Sequence, residues 1–231
     1  MNDPNEPLPE GERKRETVRT MFDAIAPRYD LVNRVMTFGM DVGWRKTTVA
    51  ALRLPEGSLV VDLACGTGDL CRILEAGNYR PVGVDISAGM LHAARTSAPL
   101  VQADGLALPL AAGTIDGITC GFALRNVVSL PDLFEEMARV LRPGGRVALL
   151  EVAQPDKAWL RAGHTVYFNK VVPLIGGLLS DRAAYRYLPR SAAYLPPTPD
   201  LLDMLRGEGF DDVRTDPLRF GAAQVITGTR S

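Results

Sequence analysis

Asp62-Leu63-Ala64-Cys65-Gly66-Thr67-Gly68 is the stretch whose residue types and spacing speak most directly of chemistry. Glycines in such a turn let the backbone bend sharply and approach a ligand closely. In an open parallel sheet, the turn at the carboxyl end of the first strand is where nucleotides bind. Two ligand classes compete for it. A dinucleotide fingerprint, G-x-G-x-x-G, uses its third glycine for close helix–strand packing beside a pyrophosphate. Gly66 and Gly68 are present here, but Cys71 holds the third position. S-adenosylmethionine carries no phosphate and needs no tight anion cradle, so the pattern favours it.

The other candidates follow from that ligand. Asp62 supports the turn electrostatically, and the backbone of Gly66, Thr67 and Gly68 meets the methionyl part. Asp85, 17 residues after Gly68, ends a second apolar run and can accept both ribose hydroxyls. Nicotinamide enzymes share that feature, so it points only to an adenosine ribose. Asp104-Gly105 closes a third run and is placed to approach the adenine, Asp104 accepting from the exocyclic amine. Gly121, late in a fourth run, completes the cofactor-binding set. One acid at a strand end is ordinarily a cap; three at successive strand ends beside a glycine turn point to a site.

The elements that must position these residues can be read from periodicity. Val18, Met21, Phe22 and Ile25 fall on one face of a helix, which Pro27 should end. Further helical stretches run over 31–38 and 44–54, the last closed by Pro55-Glu56-Gly57. From residue 58 the texture changes. Apolar runs at 59–63, 81–85, 100–104, 117–122 and 146–151 read as strands buried on both faces. Helical stripes alternate with them, the clearest being Leu133, Phe134, Met137, Ala138 and Leu141, closed by Pro143-Gly144-Gly145. This alternation predicts an α/β, doubly wound, mostly parallel sheet with helices on both faces. Thr198-Pro199-Asp200 reads as a helix start, and closing strands at 212–215 and 223–229 bring the sheet to seven strands. Residues 155–197 break the rhythm with aromatics and prolines and read as a lid insertion. The expected organisation is a flexible tail at 1–14 and a single domain over 15–231, with a helical cap at 15–54.

Composition excludes several classes. The 231 residues carry a net charge of −1, so the chain is no strongly basic nucleic-acid binder. Cys65, Cys71 and Cys120 form no C-x-x-C pair, and with only two histidines, His92 and His164, no metal site of zinc spacing is expected. The first residues lack an apolar stretch, so no signal peptide is expected, and the run 171–179 is too short to span a bilayer. The expected location is cytoplasmic, with peripheral contact at the inner face of the membrane left open.

These residues also carry a resemblance. Asp62 to Asp69 is similar to motif I of class I methyltransferases, which have a Rossmann-like fold. More narrowly, the chain resembles the menaquinone/ubiquinone biosynthesis C-methyltransferase family. Tyr29-Asp30-x-x-Asn33 with Trp44 matches its first signature, and Phe122-Ala123-Leu124-Arg125-Asn126-Val127 its central stretch. Arg139-Val140-Leu141-Arg142-Pro143-Gly144-Gly145 through Glu151 matches its second signature. The sequence departs from the family at Asp41 and Ile226, where His is usual, and at Ala153, where Ser is usual.

The resemblance implies S-adenosylmethionine-dependent methyl transfer to a ring carbon of a demethylated quinol, the alternative being another phenolic small molecule. An arginine cannot usefully deprotonate at neutral pH but can stabilise a phenolate. Arg125 is therefore expected to stabilise the phenolate and Asn126 to orient it. Tyr29 is expected near the methionyl carboxylate. The implied partner is a small quinol with a polyprenyl tail and no nucleic acid; a homodimer is left open.

Overall fold

In the computed structural model, residues 9–153, 191–218 and 221–231 are described. Most of the expected lid insertion, including His164 and the apolar run 171–179, lies outside them. The elements before the sheet are α1 (Gly11–Ile25), a 3-10 turn (Ala26–Arg28), α2 (Tyr29–Met36) and α3 (Met40–Ala51). Then come β1 (Leu59–Leu63), α4 (Asp69–Ala76), β2 (Arg80–Asp85), α5 (Ala88–Ala93), β3 (Leu100–Gln102) and β4 (Ile115–Gly121). A 3-10 turn (Leu124–Asn126), α6 (Leu130–Val140), β5 (Leu141–Val152), a 3-10 turn (Ala192–Tyr194), α7 (Thr198–Gly207), β6 (Phe210–Pro217) and β7 (Ala223–Arg230) complete the described fold.

The strands form one sheet in the order β3-β2-β1-β4-β5-β7-β6. β1 to β5 run parallel, and β7 runs antiparallel between β5 and β6. The strand order reverses between β1 and β4, so the crevice beyond their carboxyl ends is the topological switch point. One face of the sheet packs on α6 and α7 through Phe134, Met137, Ile118, Leu149 and Leu201. The other packs on α3 and α4 through Val49, Leu52, Leu74, Val60 and Ala148. A separate cluster of Ile25, Val32 and Met90, with Phe22 and Tyr29, ties the N-terminal helices to α5 at the sheet's carboxyl edge.

Several boundaries differ from the expected ones for physical reasons. α1 starts at Gly11, inside the stretch expected to be tail, because Lys14 is buried and makes a long-range contact there. Pro27 is absorbed at the start of a 3-10 turn, so α2 begins at Tyr29. The α6 stripe stops one residue early: Leu141 pairs with Ile115, and the register then shifts, so Arg146 meets Gly117. Arg142-Pro143-Gly144-Gly145 thus forms an irregularity at the start of β5 rather than a helix cap. Thr198 begins α7 without capping it; its hydroxyl donates to Gln224 Oε1 at 3.1 Å.

Candidate functional site

A cavity opens at the switch point, lined by the residues that follow β1, β2, β3 and β4 and by one face of α1. Among the expected site residues, Tyr29, Gly66, Asp85, Asp104, Gly105, Gly121 and Asn126 line it. Asp62, Thr67, Gly68 and Arg125 are not in its wall and act behind it.

The glycine turn is built from left-handed backbone: Ala64, Gly66 and Gly68 have φ of 53°, 55° and 83°. Gly66 faces open space, whereas a Cβ on Gly68 would lie 2.9 Å from Thr96 Cγ2. Gly66 therefore gives a ligand access to the backbone, and Gly68 packs the turn on the chain after α5. Thr67 is turned away from the cavity, its hydroxyl donating to Asp30 at the start of α2. This bond fixes α2 to the turn.

Asp62 lies in the middle of the sheet. It faces Thr119 in register on β4, and the Thr119 hydroxyl donates to Oδ1 at 2.9 Å. The Cys71 thiol donates to Oδ2 at 3.4 Å. Burial pushes its carboxyl up to about 7, against the lowering effect of these two hydrogen bonds. Asp62 thus braces the first turn of α4 against β1 and β4 and does not line the cavity.

Cys71 explains how the third glycine was dispensed with. It is fully buried, and room for its sulfur comes from the facing strand: a Cβ on Gly83 would lie 2.8 Å from Cys65 Sγ and 3.2 Å from Cys71 Sγ. The glycine that permits close helix–strand packing has moved from α4 to β2. The contact with Cys65 and burial keep the Cys71 thiol protonated, so it is a filler, not a nucleophile.

Asp85 ends β2 and lines the cavity with 8% exposure. Its Oδ2 accepts from the Gly66 amide and its Oδ1 from the Ser87 amide, each at 2.8 Å. Burial raises its pKa, and these amides oppose the rise. The carboxylate is thereby locked in orientation, with further lone pairs to accept from a diol. Asp104 is less open than expected. Its Oδ1 accepts from the Leu106 amide at 3.0 Å, and its Oδ2 pairs with Arg15 Nε at 2.9 Å. A base bound there would share that carboxylate with α1.

On the acceptor side, Arg125 does not stand free to meet a substrate. Its guanidinium is ion-paired with Glu151, which is fully buried at the end of β5. Glu151 also accepts from the Val152 amide at 2.8 Å. Asn126, next in sequence, lines the cavity and is 8% exposed. Its Oδ1 is buried without a hydrogen-bond partner among the described residues. Such an atom is costly to leave unsatisfied and points to a donor that arrives with a ligand.

Three functional contributors had no clear sequence signal. Arg15 and Lys14 reach the site only through tertiary packing, Lys14 Nζ donating to the Val127 carbonyl at 2.6 Å. Glu151 closes the second family signature, but neither that match nor its place at the end of a strand marks it as the partner of Arg125. The stripe Val18-Met21-Phe22-Ile25, which reads as packing, is divided: Ile25 is buried core, whereas Val18 and Phe22 line the cavity. Tyr29 joins them, its hydroxyl held protonated chiefly by burial.

The departures at Asp41 and Ile226 fall outside the cavity wall. Asp41 accepts from Thr37 Oγ1 at 2.8 Å and from Arg45 Nη1 at 2.7 Å, in a network that continues through Asp69. Ile226 is fully buried in the core. Ala153 bonds to Ala222 through its backbone amide at 3.0 Å.

Strand order, the antiparallel β7 and the glycine turn at the cavity together define a class I methyltransferase fold. A Thermotoga maritima structure described as an S-adenosylmethionine-dependent methyltransferase, possible histamine N-methyltransferase, is similar with TM-score 0.65. It covers 92% of this chain and 99% of that one at 20% identity. The profile of the ubiE/COQ5 methyltransferase family matches residues 10–230, and the chain belongs to that family. It is 42% identical over 233 residues to a demethylmenaquinone methyltransferase of Roseiflexus castenholzii, covering 96% of this chain and 97% of that protein. It is 41% identical over 228 residues to a ubiquinone/menaquinone biosynthesis C-methyltransferase of Syntrophotalea carbinolica, covering 95% and 96%.

Proposed function

We propose that the protein is an S-adenosylmethionine-dependent C-methyltransferase that methylates the ring of a demethylmenaquinol or closely related quinol. The observation that carries the acceptor side is the buried, unpartnered Asn126 Oδ1 in the cavity wall. A ring hydroxyl is the kind of donor it lacks. The cavity also fits the cofactor: Gly66 faces open space, and Asp85 presents an oriented carboxylate. Asp85 would accept from the ribose hydroxyls, Asp104 and Gly105 would flank the adenine, and Gly66, Gly121 and Tyr29 would border the rest. Bound there, S-adenosylmethionine supplies a methyl group already activated by a sulfonium.

The protein's own work is then orientation and charge control. A phenol ionises near ~10, so a reactive ring needs its anion favoured. Arg125, ion-paired with Glu151 behind the wall, stands next to Asn126. The ion pair is neutral overall, so it offers a fixed guanidinium end and not a free charge. This end would favour ionisation of one ring hydroxyl, while Asn126 Oδ1 would accept from the quinol's other, protonated hydroxyl and hold the ring in register. Val18 and Phe22 of α1 shield the cavity from water, which strengthens these electrostatic effects.

The names of the two relatives support the quinol assignment. Asp41, Ala153 and Ile226 are the departures that favour the alternative, another phenolic acceptor; Asp41 and Ile226 serve the scaffold. A polyprenyl tail on the acceptor would partition into lipid, so the reading places the protein at a membrane surface during turnover. No helix among the described residues is long and apolar enough to cross a membrane. The deciding assay supplies labelled S-adenosylmethionine and chemically reduced demethylmenaquinone. Label on the ring carbon supports the reading. A folded protein that binds the cofactor yet transfers no label to this acceptor, but does to a simpler phenol, overturns it.

A further inference from the structure

Besides Asn126 Oδ1, the buried side-chain polar atoms without a partner among the described residues are Arg146 Nε, Thr227 Oγ1 and Thr229 Oγ1. These three share one patch of the sheet. Arg146 on β5 lies directly opposite Thr229 on β7, and Thr227 on β7 lies opposite Arg214 on β6. Residues opposite one another on paired strands, and those two apart on one strand, share a face. That face is the one packed on α3, because Ala148 and Val225, at alternating positions on β5 and β7, belong to one apolar cluster with Val49 and Leu52.

Arg53 follows α3 at this place. The neighbouring Leu52 and Leu54 lie over Gly117, whose added Cβ would be 3.4 Å from the Arg146 carbonyl. Arg214 and Arg53 both act electrostatically on Arg146, so three positive charges share this part of the face. Arg214 Nε has only a loose contact with Asp216, at 3.8 Å. Asp212, an exposed residue, is the acid that acts on Arg146; burial, Arg214 and Arg53 all push the Arg146 guanidinium below its ordinary range. The patch is remote from the cofactor turn, since Arg146 pairs with Gly117 near the start of β4 and the cavity lies beyond its end at Gly121.

We propose that Arg146, Arg214 and Arg53, with the hydroxyls of Thr227 and Thr229, form a binding site for a phosphate-type oxyanion. Such a ligand accepts from the guanidinium fork and from hydroxyls at once, and its charge relieves the repulsion among the arginines. Phosphate monoesters in solution and the headgroup of an anionic lipid both present this chemistry.

The test is calorimetric titration of the full chain with inorganic phosphate, with sodium chloride at matched ionic strength as control. A second arm is sedimentation with phosphatidylglycerol vesicles against phosphatidylcholine vesicles. Arg146→Met and the milder Arg214→Gln should each weaken phosphate or phosphatidylglycerol binding by about tenfold or more. Both variants should bind S-adenosylhomocysteine as the wild type does, which shows that they fold. Phosphate binding without vesicle binding identifies a soluble ligand, and binding confined to anionic vesicles identifies a headgroup. A wild-type response that sodium chloride reproduces, or folded variants that bind like the wild type, would overturn the proposal.

Discussion

Lys14 Nζ donates to the Val127 carbonyl at 2.6 Å and sits 3.8 Å from the centroid of the Tyr194 ring. One buried amine thus links the first turns of α1 to the loop after Asn126 and to the chain before α7. Arg15, beside it, holds Asp104 on the cofactor side. α1 is therefore clamped to both halves of the cavity by consecutive residues. Lys14→Met should destabilise the fold by about 1–3 kcal/mol by leaving the carbonyl unsatisfied. It should raise KM for the acceptor more than it alters cofactor affinity, measured by denaturant unfolding and steady-state kinetics.

The same lysine has a pH signature. Burial lowers its pKa from 10.5 to about 8. Between these values the unfolded chain holds a proton that the folded chain has released, so this residue makes stability rise with pH across that window. The stability difference between wild type and Lys14→Met should shift in favour of the wild type from pH 8 to 10. A constant difference would show that Lys14 does not titrate there.

Asp62 gives the opposite slope. Its carboxyl is raised from 3.8 to about 7 by burial, so the folded chain keeps a proton that the unfolded chain loses. Stability should then fall as pH rises from about 4 to about 7. Asp62→Asn keeps an acceptor for Thr119 and removes the titration. The variant should lose this slope and match or exceed the wild type's unfolding midpoint at neutral pH.

Glu151→Gln should leave Arg125 buried without its counter-charge, a loss of about 3–5 kcal/mol in stability. If Arg125 acts on the acceptor only while Glu151 holds it, kcat should fall at least about tenfold, with S-adenosylhomocysteine affinity nearly unchanged. The paired change Arg125→Met with Glu151→Leu should recover stability but not turnover. Recovery of both would remove Arg125 from the reaction.

Asp85→Ala removes an oriented acceptor for a ribose diol. Cofactor affinity should weaken by about 10- to 100-fold by calorimetry, through loss of charge-assisted hydrogen bonds. An unchanged affinity would contradict the ribose assignment.

The nucleotide-binding half was legible because its signals are local. The turn from Asp62 to Gly68 follows a strand of continuous apolar residues, and Asp85 and Asp104 end the next runs. What sequence could not separate was facing a ligand from supporting the wall. Asp62 and Asp85 look alike as strand-end acids, yet only Asp85 lines the cavity. Arg125 was placed beside the acceptor, but its guanidinium is directed to Glu151, 26 residues away in sequence. Lys14 and Arg15 lie in a charged stretch that reads as a solvated helix face, yet Lys14 is buried, and their partners are fixed by packing across the sheet edge, which periodicity does not record.

β7 lies inside the sheet although it is the last strand in sequence. During synthesis, β5 must wait with one naked edge until residues 223–230 leave the ribosome, and β6 has no place to dock before then. A truncation within β7 would therefore not merely trim the margin. It would strip β6 from the fold and expose a central strand to other chains, a direct route to aggregation.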